Sequence, residues 1–497
     1  MEKIRRKIFF WTLVVIFFIA APAIILNARG YRFDSSRGVF VYSGTITVKS
    51  NPQTVNINLN GQPASSQVSR INNSHNISGL LPGDYEIVAN LPGFKPWNKK
   101  TDIHSGLASE FWNVLLIKEN YERTNYQDTA GIEKFYVSPK DDFIATVNNQ
   151  DGLKIGIFNI SDKKMNADFP ISDWKFIDDE RKENIEWSPD EKYISVPVQK
   201  ENQVKDVKKK STVIEKRYNY FIINPNDKIS FNLNELLEKE NIYDVRWDPK
   251  DKNYVFFLEG QNLWRANVID KNDIALISDN VSAYDLSGSS VYWVGLPNDM
   301  IFKSGTDGSG KIQITNNFPG SAEIPINKII VYDETRIGLI NASKELFIYN
   351  EGDHDTYFRK IGSDVESLAF SDDGKKTLFW SDNEILVYFD RDWNVQPTRS
   401  ENELSGITRY SEKIYNVGWL RDYEHIIFNT NQWVKVIEVD GRDKRNCQDL
   451  ISTTINNPFI RYNNSLEYLF FTDKIGENIT LNSIIFPEPT PILGIGG

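Results

Sequence analysis

Few residues of this 497-residue chain are of the kinds that carry catalysis or hold metals. Four histidines (His75, His104, His354 and His425) and one cysteine, Cys447, leave little material for a zinc site or a histidine-rich centre, and no intramolecular disulfide is possible. Gly305-Thr306-Asp307-Gly308-Ser309-Gly310-Lys311 has the spacing of a phosphate loop. Ile312, however, stands where Ser or Thr would hold magnesium, and no helical pattern follows, so the segment reads as a hairpin turn. The acidic pairs Asp141-Asp142, Asp178-Asp179 and Asp372-Asp373 could serve glycoside hydrolysis only if two carboxylates met at a defined separation in one pocket, which adjacency does not supply. No G-x-S-x-G elbow, H-E-x-x-H helix or calcium loop occurs. The expectation is therefore no catalytic residue, no cofactor and no metal ligand. Binding is left to exposed aromatics. Trp187, Trp247 and Trp419 recur at one place in a repeat and read as core, whereas Trp174, Trp393 and Trp433 lie outside it and are the candidate binding residues.

The elements that must position these residues follow from composition and pattern. With 40% hydrophobic and 13% aromatic residues the chain can build sizeable cores, and its length asks for two or more units. Its net charge of −11 repels phosphate backbones, so nucleic acid is not an expected partner.

Lys3, Arg5, Arg6 and Lys7 (tail 1–7) precede an uncharged apolar run at 8–26, about the length needed to cross a bilayer. By the positive-inside rule this is a single-pass signal anchor of the cell membrane, with its N-terminus cytoplasmic and the bulk of the chain extracytoplasmic; a cleaved signal peptide is the alternative. Residues 27–43 read as a linker.

From 44 to 117, short β-branched alternations are separated by turn residues: Val55-Asn56-Ile57-Asn58-Leu59 ends in Asn60-Gly61, and Leu81-Pro82-Gly83-Asp84-Tyr85 sets another turn. With Leu91-Pro92-Gly93-Phe94-Lys95-Pro96-Trp97, this stretch resembles the PEGA domain. That resemblance implies a small β-sandwich-like module used for binding or spacing; Phe94 and Trp97 read as filling its core, with an exposed ligand platform the alternative.

Residues 118–486 carry a repeat of strand, Ser-Pro-acidic turn and strand, clearest at Val137-Ser138-Pro139-Lys140-Asp141 and Trp187-Ser188-Pro189-Asp190-Glu191. Anchors at Ser138, Ser188, Asp248, Ser287, Tyr332, Ser371, Leu420 and Tyr462 lie 50, 60, 39, 45, 39, 49 and 42 residues apart, the period of four-stranded propeller blades. The 60-residue interval contains a lysine-rich insertion, 200–217, that reads as a solvated hairpin extension. With Thr306-Asp307-Gly308 and Val439-Asp440-Gly441-Arg442-Asp443 as outer hairpins, the repeats resemble WD40-like propellers of the TolB type. The expected fold class is thus all-β: a transmembrane helix, a PEGA-like domain, then a β-propeller of eight blades, with seven the alternative. The last repeat lacks an outer strand, which a segment at 121–129 is expected to supply. Residues 487–497, rich in Pro and Gly, read as an extended end.

The function expected from this arrangement is a membrane-anchored binding or scaffolding protein of the cell envelope, with an envelope protein or a cell-wall glycan as partner. The alternative is an extracytoplasmic propeller hydrolase of glycans or peptides, with a carboxylate pair in the central funnel.

Overall fold

The computed structural model describes residues 2–177, 184–206 and 211–488, without the side chains of 202–215. Asp178-Asp179 and the end of the Pro/Gly-rich tail lie outside the described residues.

Glu2–Ala28 is a single helix, ~40 Å long at 1.5 Å per residue. None of its described residues is buried, and by length and composition it is able to cross a membrane. The segment expected to be a linker is instead ordered: Tyr31–Asp34 and Val39–Tyr42 pair as an antiparallel hairpin two residues beyond the helix. Its turn is set by Asp34, whose carboxylate accepts from the Ser36 N–H, the Ser36 hydroxyl and the Arg37 N–H, with Gly38 at φ +66°.

Two four-stranded sheets follow. One orders Ala108–Leu115, Gly44–Asn51, His75–Leu80 and Gln67–Val68; the other orders Gln62–Pro63, Asn56–Leu59, Gly83–Asn90 and Trp97–Ile103. Their inward residues, at every second position of the strands, close on a core of Ile46, Val48, Ile57, Ile77, Ile87, Trp97 and Phe111. Phe94 packs against this core, and Trp97 meets Phe111 edge to face at 5.4 Å.

Beyond residue 120 the structure is a β-propeller. Eight antiparallel sheets follow one another among the described residues, seven of four strands and one, the second, whose inner strand is split into Lys175–Phe176 and Glu186–Trp187. Each sheet is too small to hold a core of its own, so the hydrophobic effect works between sheets. Successive sheets share clusters, from the first pair (Ile155, Ile157, Trp187, Val196) round to the seventh and eighth (Ile427, Val436, Leu469, Phe471). A further cluster, Phe135, Ile144 and Phe158 with Phe470 and Leu481, joins the first sheet to the eighth and closes the ring. The closing sheet takes its outermost strand from the other end of the chain: Thr124–Tyr126 pairs with Asn478–Ile485, the place expected for 121–129.

The Ser-Pro-acidic signature is the turn between the innermost strand and the next. Ser188 Oγ accepts from the Tyr193 N–H at 2.9 Å and donates to Asp190 at 2.8 Å; Ser371 does the same with Lys376 and Asp373. The register of the last repeat differs by one from the expected anchor, because Asn463, and not Tyr462, closes the turn opposite Tyr468. The lysine-rich insertion extends two strands, Ile194–Asp206 and Ser211–Asn224, paired in continuous register. The Gly305–Lys311 segment is a turn between Met300–Gly305 and Ile312–Gln313, closed by Asp307 accepting from the Ser309 N–H.

Candidate functional site

In a four-stranded meander, the first and third turns fall on one face of the ring and the second turn and inter-sheet connections on the other. The three nominated tryptophans are split by this rule. Trp393 follows a third strand, Glu384–Phe389, while Trp433 sits at the turn between second and third strands and Trp174 on an inter-sheet connection. The structure does not bring them together. Trp174 is half-buried, edge-on to Phe221 at 6.1 Å, and Trp393 is half-buried with the Lys376 ammonium 3.8 Å from its ring centre. Only Trp433 is open, at 40% exposure. Of the acidic pairs, Asp141-Asp142 and Asp372-Asp373 lie in first turns of different sheets.

The small domain sits on the face of first and third turns, over sheets six to eight. Alternation in Trp97–Ile103 sends Trp97, Lys99 and Ile103 inward. Lys99 has no exposed side-chain surface. Its ammonium donates to the backbone carbonyls of Asp440, Arg442 and Lys444 at 2.7–2.8 Å and lies 2.7 Å from the Glu438 carboxylate. Trp97 Nε1 donates to the other Glu438 oxygen at 2.9 Å. The expectation that Trp97 only fills the small domain's core is thus too narrow, since its indole also ties that domain to the ring. The same Asp440-Gly441-Arg442 turn places the Arg442 guanidinium 4.0 Å over Phe111 and donates to the Glu110 carbonyl. Gln396, in the turn beyond Trp393, bonds the Glu110 N–H and the Ala108 carbonyl.

Beside this contact a cleft of about 730 Å³ opens between the small domain and the turns of sheets seven and eight. Asn51, Gln53 and Trp112 line one wall, and Arg421, Tyr462 and Glu467 the other. The Trp112 indole is held by a 2.9 Å bond to Glu110, and Arg421 pairs with Glu467 at 3.0 Å. Burial pushes the Tyr462 phenol well above the usual tyrosine range. Tyr462 Oη and Asn51 Oδ1 are both inaccessible and carry no hydrogen bond among the described residues. The surface therefore combines a fixed indole, a phenol and side-chain amides with little net charge, a composition suited to a neutral, hydroxyl-rich or amide-rich ligand.

On the innermost strands, Arg246 links three sheets: Nε meets Glu186 at 3.0 Å and Nη1 meets Asp285 at 3.1 Å. Glu186 further accepts from the Trp247 N–H, and Asp285 from the Val331 N–H. Burial raises the Glu186 carboxyl above the usual range, and Arg246 works against that rise.

Sequence reasoning missed Lys99, Trp112 and Tyr462. Lys99 carried a signal, a lysine at an inward position between Trp97 and Ile103. Trp112 and Tyr462 carried none, because each faces a cleft formed by segments 350 residues apart.

No protein-family model matches the chain, and no curated protein matches it in sequence. Among solved structures it is similar to the β-propeller domain of Myceliophteria thermophila Cps50 (Swd1), at 11% identity and TM-score 0.41, covering 74% of this chain and 98% of that one. It is similar also to the Dos1 propeller, at 9% identity and TM-score 0.46 over 73% and 95%. A third is dipeptidyl peptidase 4 of Porphyromonas gingivalis, at 10% identity and TM-score 0.46 over 72% and 58%. The likeness is one of architecture: by its own eight sheets and the clusters between them, this chain carries a β-propeller behind an apolar N-terminal helix.

Proposed function

We propose that the chain is a binding or scaffolding protein of the cell envelope, held by its N-terminal helix as a single-pass anchor. Its N-terminus is cytoplasmic, its small domain is a PEGA-like spacer, and its eight sheets are the blades of a TolB-like ring displayed outside the membrane. The ligand taken between spacer and ring is a cell-wall glycan strand. The observation that carries this reading is the cleft, lined by the ring of Trp112 and by the side-chain amides of Gln53, Asn72 and Asn73. Pyranose rings offer apolar faces to an indole and hydroxyls to amides and phenols.

Titration of the purified chain with N-acetylglucosamine oligomers, and co-sedimentation with purified cell-wall sacculi, tests it. Trp112→Ala is expected to weaken binding by about tenfold, which is roughly 1.4 kcal/mol. Equal binding by wild type and variant, or none by either, overturns the glycan assignment. Topology is checked separately: protease added to intact spheroplasts should digest the ring, and protection of 133–486 would reverse the orientation.

The hydrolase reading draws on Glu186, whose carboxyl is held above the usual range by burial on an innermost strand. It requires glycan or peptide cleavage that Glu186→Gln abolishes.

A further inference from the structure

The hairpin that follows the helix has an asymmetry that the small domain does not explain. Its register pairs Tyr31 with Tyr42 and Phe33 with Phe40, so alternation places all four rings on one face, the pairs 5.2 and 5.3 Å apart. Phe33, Phe40 and Tyr42 are 54%, 43% and 45% exposed. The other face carries Arg32, whose guanidinium lies against Gly79 of the small domain and donates to the carbonyl of Asn27 in the helix. Ser43 donates to the Gly30 carbonyl through both its N–H and its hydroxyl. Tyr42 lies with its edges against Gly30 and against Gly106 of the small domain, and Phe33 and Phe40, at the turn end of the ladder, are the rings left outward.

The position of that face names what covers it. The helix ends at Ala28 and the hairpin begins at Tyr31, so Arg29-Gly30 gives at most about 7 Å of chain between them. The headgroup layer on each side of a bilayer is itself about 5–8 Å deep. A hairpin that begins within about one headgroup depth of the end of a membrane span starts in or beside the interfacial layer, where Tyr and other rings with one apolar and one wet side are stable. Arg29 precedes the ladder and Arg37 lies in its turn, paired with Asp34 at 3.5 Å.

We infer that the aromatic face of this hairpin lies in the headgroup layer of the membrane. It makes a second contact beside the helix and sets the attitude of the small domain, and with it the ring, against the bilayer. This rests on the anchor reading of the helix, and the two fail in distinguishable ways.

The full-length chain carrying Cys447→Ser is given one cysteine at a time by Trp11→Cys, Phe33→Cys or Glu477→Cys, and each is labelled with a nitrobenzoxadiazole. The labelled chains are reconstituted into phosphatidylcholine–phosphatidylglycerol vesicles. Residue 11 lies within the helix and residue 477 is an exposed turn of the ring. The Phe33→Cys label is expected to lose most of its emission to a lipid nitroxide placed near the headgroup, and to resist dithionite while the Glu477→Cys label is bleached. Bleaching as fast as at 477 overturns the inference, because the hairpin is then in water. Resistance to both quenchers overturns it as well, in favour of a second copy or a partner protein covering the rings. If the Trp11→Cys label escapes the lipid nitroxide, the anchor reading fails and the hairpin assignment falls with it.

Discussion

Lys99 shows how much one buried charge can decide. Its ammonium sits where three carbonyls and a carboxylate converge, so a methionine of similar length takes a donor from all three carbonyls and leaves the Glu438 charge without its cation, held only by Trp97 and Asn446. Lys99→Met is expected to cost about 3–5 kcal/mol, read as a fall in Tm and as new protease cleavage between the small domain and the ring. Asp390 works in the opposite sense. Burial pushes its carboxyl up to about 7, with the Thr377 hydroxyl and Arg391 opposing. A carboxyl whose folded value lies above its unfolded one favours the fold at low pH, and that advantage is lost as pH rises from about 4 to about 7. Asp390→Asn should remove this slope and add on the order of 2–4 kcal/mol at neutral pH, seen as a Tm that falls less than wild type between pH 5 and 8. His425 adds to the wild-type slope. Burial lowers its affinity for a proton, but the Asp422 carboxylate at 2.6 Å outweighs that and raises it, so its contribution is also lost as pH rises through the folded value. Of these residues only Lys99 left a mark in the sequence, as a lysine at an inward strand position between Trp97 and Ile103. Asp390 and His425 left none, and the Lys99 partners come from the ring, about 340 residues further along the chain.

Among the elements, the repeat was legible because its chemistry is local. A Ser or Asp that closes a turn on its own strand leaves the same letters in several copies, as at Ser138, Ser188, Asp248 and Ser371. The recurrent tryptophans report the next level: Trp187, Trp247 and Trp419 are buried, and their indole N–H groups donate to the carbonyls of Tyr136, Glu186 and Ala369 in the neighbouring inner strand. Trp247→Phe should cost about 1 kcal/mol, since it removes one of two donors to the Glu186 carbonyl and leaves the Ser195 hydroxyl, whereas Trp433→Ala should change Tm little. The short strand Thr124–Tyr126 is legible only by counting, from the strand that the last repeat lacks. Deleting 121–129 is expected to expose the outer edge of the eighth sheet and the side of the first. Hydrogen exchange should then rise first in Tyr468–Ile475, Asn478–Ile485 and Phe143–Asn148. Uniform protection in the deletion variant would show that the ring does not depend on this strand. The hairpin at Tyr31–Tyr42 escaped sequence reading because four residues a side are too few to establish a period, and arginine and aspartate interrupt them.

The small domain covers the first-and-third-turn face over sheets six to eight, so the opposite face, from which the long second-sheet hairpin extends, is the one free of it. A partner gripping that face would pull against the helix. The chain leaving the small domain runs directly into Thr124–Tyr126, and three residues of antiparallel pairing loaded from a single end would open bond by bond, as a zip does. The clasp of Lys99 and Trp97 on the 439–446 turn offers tension another route. Force enters the seventh sheet through several bonds that must shear together, and the closing strand is left slack. A pulling experiment with one handle before residue 30 and the other on the far face should therefore show a single high rupture in the wild type, and a low, progressive one in Lys99→Met.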